Sequence, residues 1–134
     1  MEKTISKAVI LGASGGIGRQ LARELAQRTD QLVLVGRDEA KLTQLQEELS
    51  GVKAKLSYRV LDLLDAAAVD DFAQQLEADL LINCCGVANF GPALSLSEAA
   101  ENALWQVNYQ APIRLIKQVA ERNCKIRLVQ LSSL

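Results

Sequence analysis

A chain of 134 residues, 49% hydrophobic and with two prolines, can bury one core and is too short for two, so 1–134 is read as a single domain. Fifteen Lys and Arg against sixteen Asp and Glu, scattered along the chain, give a net charge of -1 and no basic footprint for nucleic acid or an anionic membrane. No apolar run approaches the roughly 20 residues of a membrane span and the first residues lack a signal peptide's apolar stretch, so a cytoplasmic protein is expected.

Short apolar runs at 8–11, 32–35, 56–61, 80–82 and 126–131 alternate with longer amphipathic stretches, the pattern of a parallel sheet with crossover helices. The runs are more continuously apolar than alternating, as strands covered on both faces require. After the first run, Ile17, Leu21, Ala22 and Leu25 fall on one helical face. After the second, Leu42, Leu45 and Leu49 repeat the spacing, with Asp38 as the expected N-cap and Gly51 as the stop. Asp65 is expected to cap the next helix, whose stripe is Val69, Phe72, Ala73 and Leu76.

The stretch 97–123 carries two stripes: Leu104, Val107, Ala111, Leu115 and Val119, and beside them Trp105, Tyr109, Ile113, Ile116 and Ala120. A helix apolar around its girth needs two partners. The sheet is one, and the other is a helix of the same domain or of a second subunit, so a homo-oligomer formed through this helix is one expectation. Pro112 predicts a local bend or a missing backbone bond.

Right-handed crossovers with a reversal after the third strand predict a doubly wound α/β Rossmann fold, strand order 3-2-1-4-5, with helices on both faces. Ligands of such sheets bind outside the carboxyl ends of the strands, which here are Gly12, Gly36, Asp62, Asn83 and the paired Ser132 and Ser133.

"LGASGGIGRQ" joins the first strand to its helix. Gly12 would permit the tight turn, Gly16 the approach of a pyrophosphate and Gly18 close helix packing, with the helix-start N–H groups facing the phosphates. Gly12, Gly15, Gly16 and Gly18 fit both G-x-x-x-G-x-G and G-x-x-G-x-x-G. At the end of the second strand stands Gly36-Arg37, where an NAD-binding fold usually offers an acid to the ribose hydroxyls. A guanidinium pairs with a 2′-phosphate that an acid would repel, so NADP(H) is preferred and NAD(H) is the alternative, with Asp38 then contacting the ribose.

Together these segments resemble the N-terminal part of a short-chain dehydrogenase/reductase over essentially the whole chain. "GASGGIG" matches that family's TGxxxGIG except that Leu11 replaces the threonine, and the resemblance places Ser14, Gly15 and Ile17 with the three glycines around the cofactor. "LDLLD" resembles the segment whose aspartate contacts adenine, which implies that role for Asp62 with Leu63 beside it. "INCCG" stands where the family writes NNAG: Asn83 and Gly86 match, Cys84 and Cys85 depart. "WQVNYQAPIRLIKQ" resembles the helix with the family's active-site asparagine, here Asn108, credited with holding a water in a proton relay. The family's fifth strand ends in paired serines, the second of which bonds the substrate carbonyl or hydroxyl; that residue is Ser133.

The family's tyrosine, and the lysine four residues after it, have no counterpart: Tyr58 is followed by Asp62 and Tyr109 by Ile113, so neither begins a Y-x-x-x-K. The domain therefore reads as truncated before that segment and inactive alone. Three cysteines and no histidine give no metal-binding spacing, and the thiols are expected to be reduced. The resemblance implies an NADP(H)-dependent oxidoreductase acting on a small carbonyl or alcohol substrate. The alternative is a non-catalytic NAD(P)-binding module or scaffold. Relatives acting on nucleotide sugars fit less well, because they usually place a different segment at "INCCG".

Overall fold

The computed structural model describes residues 5–132, so Ser133 lies outside it. Five strands, β1 (Ile5–Leu11), β2 (Thr29–Gly36), β3 (Lys55–Val60), β4 (Leu80–Asn83) and β5 (Arg127–Gln130), pair in parallel in the order β3-β2-β1-β4-β5. The helices are α1 (Gly16–Ala26), α2 (Glu39–Glu48), α3 (Ala66–Gln75), α4 (Glu98–Trp105) and α5 (Ala111–Arg122).

The alternation of a strand sends Ala8 and Ile10 to one face and Val9 and Leu11 to the other. The first pair joins a core with Ala22, Ala26, Leu42 and Leu45 from α1 and α2; the second joins Val69, Phe72, Leu115 and Val119 from α3 and α5. Both faces of β1 are thus covered, which is why its run is apolar without interruption. Asp38 accepts from the Lys41 amide at 3.2 Å and Asp65 from the Ala68 amide at 3.1 Å, the two expected caps. Gly51 closes the turn after α2 with φ +85°.

Two expectations are corrected. Ile17 is 62% exposed: the first turn of α1 reaches past the carboxyl edge of the sheet, and Gly18 makes the buried contact instead. β3 and β5 are not covered strands; they stand at the two sheet edges, β3 with no residue fully buried and β5 with all four residues exposed. The expected long helix is present as one continuous run from Glu98 to Arg122, in which a π-helical turn, Gln106–Gln110, widens the coil between α4 and α5 with right-handed helical dihedrals at both junctions. Pro112 falls in the first turn of α5, directly after this widened turn, where the lost backbone bond is accommodated.

Of its two stripes, Val107, Ala111, Leu115 and Val119 are buried, with Leu104 half-buried. Trp105 and Tyr109 of the other are exposed and stack on each other with centroids 4.6 Å apart. Among the described residues no helix is long and apolar enough to cross a membrane.

Candidate functional site

The strand order reverses between β1 and β4, and a crevice opens there beyond their carboxyl ends. Gly12 turns the chain off β1 at φ +76°, its N–H donating to the Val35 carbonyl at 2.8 Å. A Cβ at Gly12 would lie 3.0 Å from the backbone of both Cys84 and Cys85, so the turn and the β4 loop are in close contact. A Cβ at Gly18 would stand 2.0 Å from the Gly12 carbonyl oxygen, whereas one at Gly16 would meet nothing within 4 Å. Gly12 and Gly18, the two closely packed positions, belong to both spacings, and neither Gly15 nor Gly16 is crowded.

No side chain caps the start of α1, where Gly15 is the N-cap, although Asp38, Asp65 and Ser97 cap α2, α3 and α4. Helix-start amides without a side-chain acceptor, opened further by the bare face of Gly16, fit a phosphate. The cleft holds about 200 Å³ and is lined by Gly12, Ser14, Gly15, Gly36, Arg37, Asp62, Leu63 and the β4 loop. Arg37 and Asp62 are exposed at its rim, and Asp62 accepts from the Leu64 amide at 3.0 Å. Leu63 is buried, tying that rim to the core. These residues fit a dinucleotide: amides for the pyrophosphate, a guanidinium for a phosphate and a carboxylate for an adenine amine.

Asn83, 3% exposed, closes β4. Its Oδ1 accepts from the Cys85 amide at 2.9 Å, and its Nδ2 donates to Gln130 Oε1 at 2.9 Å. The loop it fixes carries the two thiols to opposite faces, Cys84 against the α1/α2 core and Cys85 against the α3/α5 core. Burial, then the neighbouring Cys84 and against a smaller opposing pull from Arg37, pushes the Cys85 thiol up to about 11, and burial raises Cys84 as well. Both thiols are neutral at pH 7.

Asn108, in the π-helical turn, clasps the same loop: its Oδ1 accepts from the Val87 amide at 2.9 Å and its Nδ2 donates to the Val87 carbonyl at 2.8 Å. A Cβ at Gly86 would meet only Asn108 Oδ1, at an ordinary contact distance of 3.5 Å. Gly12, Ser14, Gly15, Arg37, Asp62, Leu63 and Gly86 thus meet around one crevice, Asn83 and Asn108 hold its loop from behind, and Gly16, Ile17 and Gly18 do not line it. Val87 and Gln130 escaped notice in the sequence; the only hint was a glutamine inside the run at 126–131.

A doubly wound sheet whose uncapped glycine turn sits at the reversal defines a nucleotide-binding α/β fold. A family model described as short chain dehydrogenase matches residues 6–133, and the chain belongs to that family of oxidoreductases. It is 30% identical to dehydrogenase/reductase SDR family member 7B of Xenopus laevis, a match covering 89% of this chain and 40% of that protein. It is 32% identical to the very-long-chain 3-oxoacyl-CoA reductase of Eremothecium gossypii, covering 84% of this chain and 34% of the other. The chain spans two-fifths or less of these curated relatives.

Among solved structures, the bulky-bulky ketone specific alcohol dehydrogenase from Comamonas testosteroni superposes with a TM-score of 0.90 at 28% identity, over 98% of this chain and 56% of that one. A short-chain dehydrogenase from Sphingobium yanoikuyae in complex with NADPH gives 0.89 at 28% identity, over 96% and 54%.

Proposed function

We propose that this chain is the cofactor-binding part of an NADP(H)-dependent oxidoreductase that exchanges a hydride between nicotinamide and the carbonyl or alcohol carbon of a small organic substrate. The observation that carries the reading is the pairing of Gly36 and Arg37 at the cleft rim, with Asp38 already engaged as the cap of α2. Asp38 gives one carboxylate oxygen to the cap of α2, while the guanidinium beside it is exposed and makes no ion pair among the described residues. The NADPH complex of a relative of similar fold supports the same reading.

In this account Gly12, Ser14, Gly15, Gly16, Ile17 and Gly18 cradle the pyrophosphate, Arg37 takes the 2′-phosphate, and Asp62 and Leu63 hold the adenine. Asn83 and Gly86 shape the loop along the adenosine side of the cleft and steady the sheet. The bound nicotinamide supplies the hydride acceptor or donor. Asn108 holds a water for proton transfer, and Ser133, outside the described residues, bonds the substrate oxygen. Family membership favours this reading over a non-catalytic module. Because the 134 residues hold no Y-x-x-x-K, they bind nucleotide without turnover when alone. The exposed Trp105, Tyr109 and Ile113 are assigned to contact with a second copy.

Fluorescence titration with NADPH and NADH tests the proposal. Saturable NADPH binding, tighter than NADH by tenfold or more and unaccompanied by oxidation, is expected. Absence of binding by either nucleotide contradicts it.

A further inference from the structure

We infer that Gln130 is a positioning residue which, through the Asn83 amide, sets the β4 loop of the cofactor cleft and the serine-bearing end of β5 in one fixed relation. The inference rests on the proposed function only for what the loop binds.

Asn83 and Thr29 are the buried polar residues among those described. A buried amide must satisfy both its donor and its acceptor. Thr29 meets this locally, donating to the Leu25 carbonyl at 2.8 Å. Asn83 does so by reaching two elements: its oxygen holds the Cys85 amide, and its nitrogen donates to Gln130, its register partner on β5. With Cys85 donating to Oδ1, the Asn83 nitrogen must face an acceptor, and Gln130 Oε1 supplies it.

Gln130 is in turn fixed. Its Nε2 donates to the Leu131 carbonyl at 3.0 Å, and the Leu131 amide donates to the Asn83 carbonyl at 3.1 Å. The next residue is Ser132. On the other side, the Cys85 amide abuts the Gly12 turn at the distance that a Cβ there would violate. The path from Ser132 to the glycine turn therefore runs through Gln130, Asn83 and Cys85, every link a hydrogen bond or a van der Waals contact. An apolar residue at 130 would leave the Asn83 nitrogen without its acceptor, and the amide would rotate to find another, taking its oxygen from Cys85.

The test uses the 134-residue chain with Gln130→Met, which keeps length and removes the acceptor, and Gln130→Glu, which restores it. The first readout is the Cys85 amide resonance and its hydrogen exchange, which a general loss of stability would not single out. The second is NADPH affinity, with thermal melting measured alongside. Gln130→Met should shift the Cys85 amide, speed its exchange and weaken NADPH about three- to tenfold, and Gln130→Glu should bring both back to within about twofold of the parent. If Gln130→Met does not fold, Gln130→Asn, whose shorter side chain falls short of Asn83, replaces it with the same expectation. An unmoved Cys85 amide overturns the inference. Failure of the parent chain to bind NADPH refutes the functional proposal alone, because the amide readout still decides the role of Gln130.

Discussion

Asn108 grips Val87 by both ends of its peptide unit, accepting from the amide at 2.9 Å and donating to the carbonyl at 2.8 Å across 21 residues of sequence. The clasp joins the π-helical turn to the loop after β4, so one side chain ties the widened turn of the long helix to a wall of the cleft. Replacing it with Ala removes two hydrogen bonds. Asn108→Ala should lower unfolding free energy by about 1–3 kcal/mol in a denaturant titration; a loss under about 0.5 kcal/mol would mean that water replaces the clasp without penalty.

The glycine turn separates folding from binding. Gly16→Ala places a methyl in open space at the first helical position, so the unliganded protein should be unchanged or stabilised by up to about 1 kcal/mol. The same methyl intrudes where the pyrophosphate lies, and NADPH affinity should fall more than tenfold. Gly18→Ala drives its methyl into the Gly12 carbonyl and should cost about 3 kcal/mol of stability. Equal stabilities for the two variants would refute this division.

Asp70 on α3 accepts from Arg114 and Gln118 on α5, and these hydrogen bonds, Arg114 first, hold its carboxyl down at about 2. A depressed carboxyl pKa contributes stability above the unfolded value of about 4, and that contribution is lost as pH falls from there toward 2. The thermal unfolding midpoint of Asp70→Asn should therefore depend less steeply on pH in this window than that of the parent. Parallel curves would show that the α3–α5 clasp is not anchored by this charge.

The thiols should react in a fixed order. Cys124 is exposed, while Cys84 and Cys85 are partly buried with raised pKa values. Iodoacetamide at pH 7.5, followed by peptide mass mapping, should label Cys124 first and Cys85 last, since only the thiolate attacks. Labelling of Cys85 at the rate of Cys124 would contradict the burial of its thiol.

Much of the fold was legible because each face of the sheet is covered. The apolar runs marked all five strands, of which β1, β2 and β4 are covered, and Asp38 and Asp65 marked helix starts through the local chemistry of capping. Periodicity misplaced Ile17, because at the first turn of α1 the close contact is made by a residue without a side chain. Pro112 announced a local disturbance of the long helix, but the position of the π turn at 106–110 was illegible because the sequence there remains periodically apolar and the bond that accompanies it, from Asn108 to Val87, is tertiary. Gln130 was illegible for a related reason: its partner Asn83 is 47 residues away and meets it only through the β4–β5 register. Arg37 and Asp38 stood side by side in the sequence, and the structure adds that the aspartate also caps α2.

The central claim is that Arg37 selects the phosphorylated cofactor, and the ratio of NADPH to NADH affinity in the parent chain and in Arg37→Ala measures it most directly. A charge-assisted contact is worth about 1.5–3 kcal/mol. NADPH should weaken by about tenfold or more in the variant while NADH stays within about twofold, bringing the ratio close to one. A ratio unchanged by the substitution, or a parent chain that prefers NADH, would contradict the account.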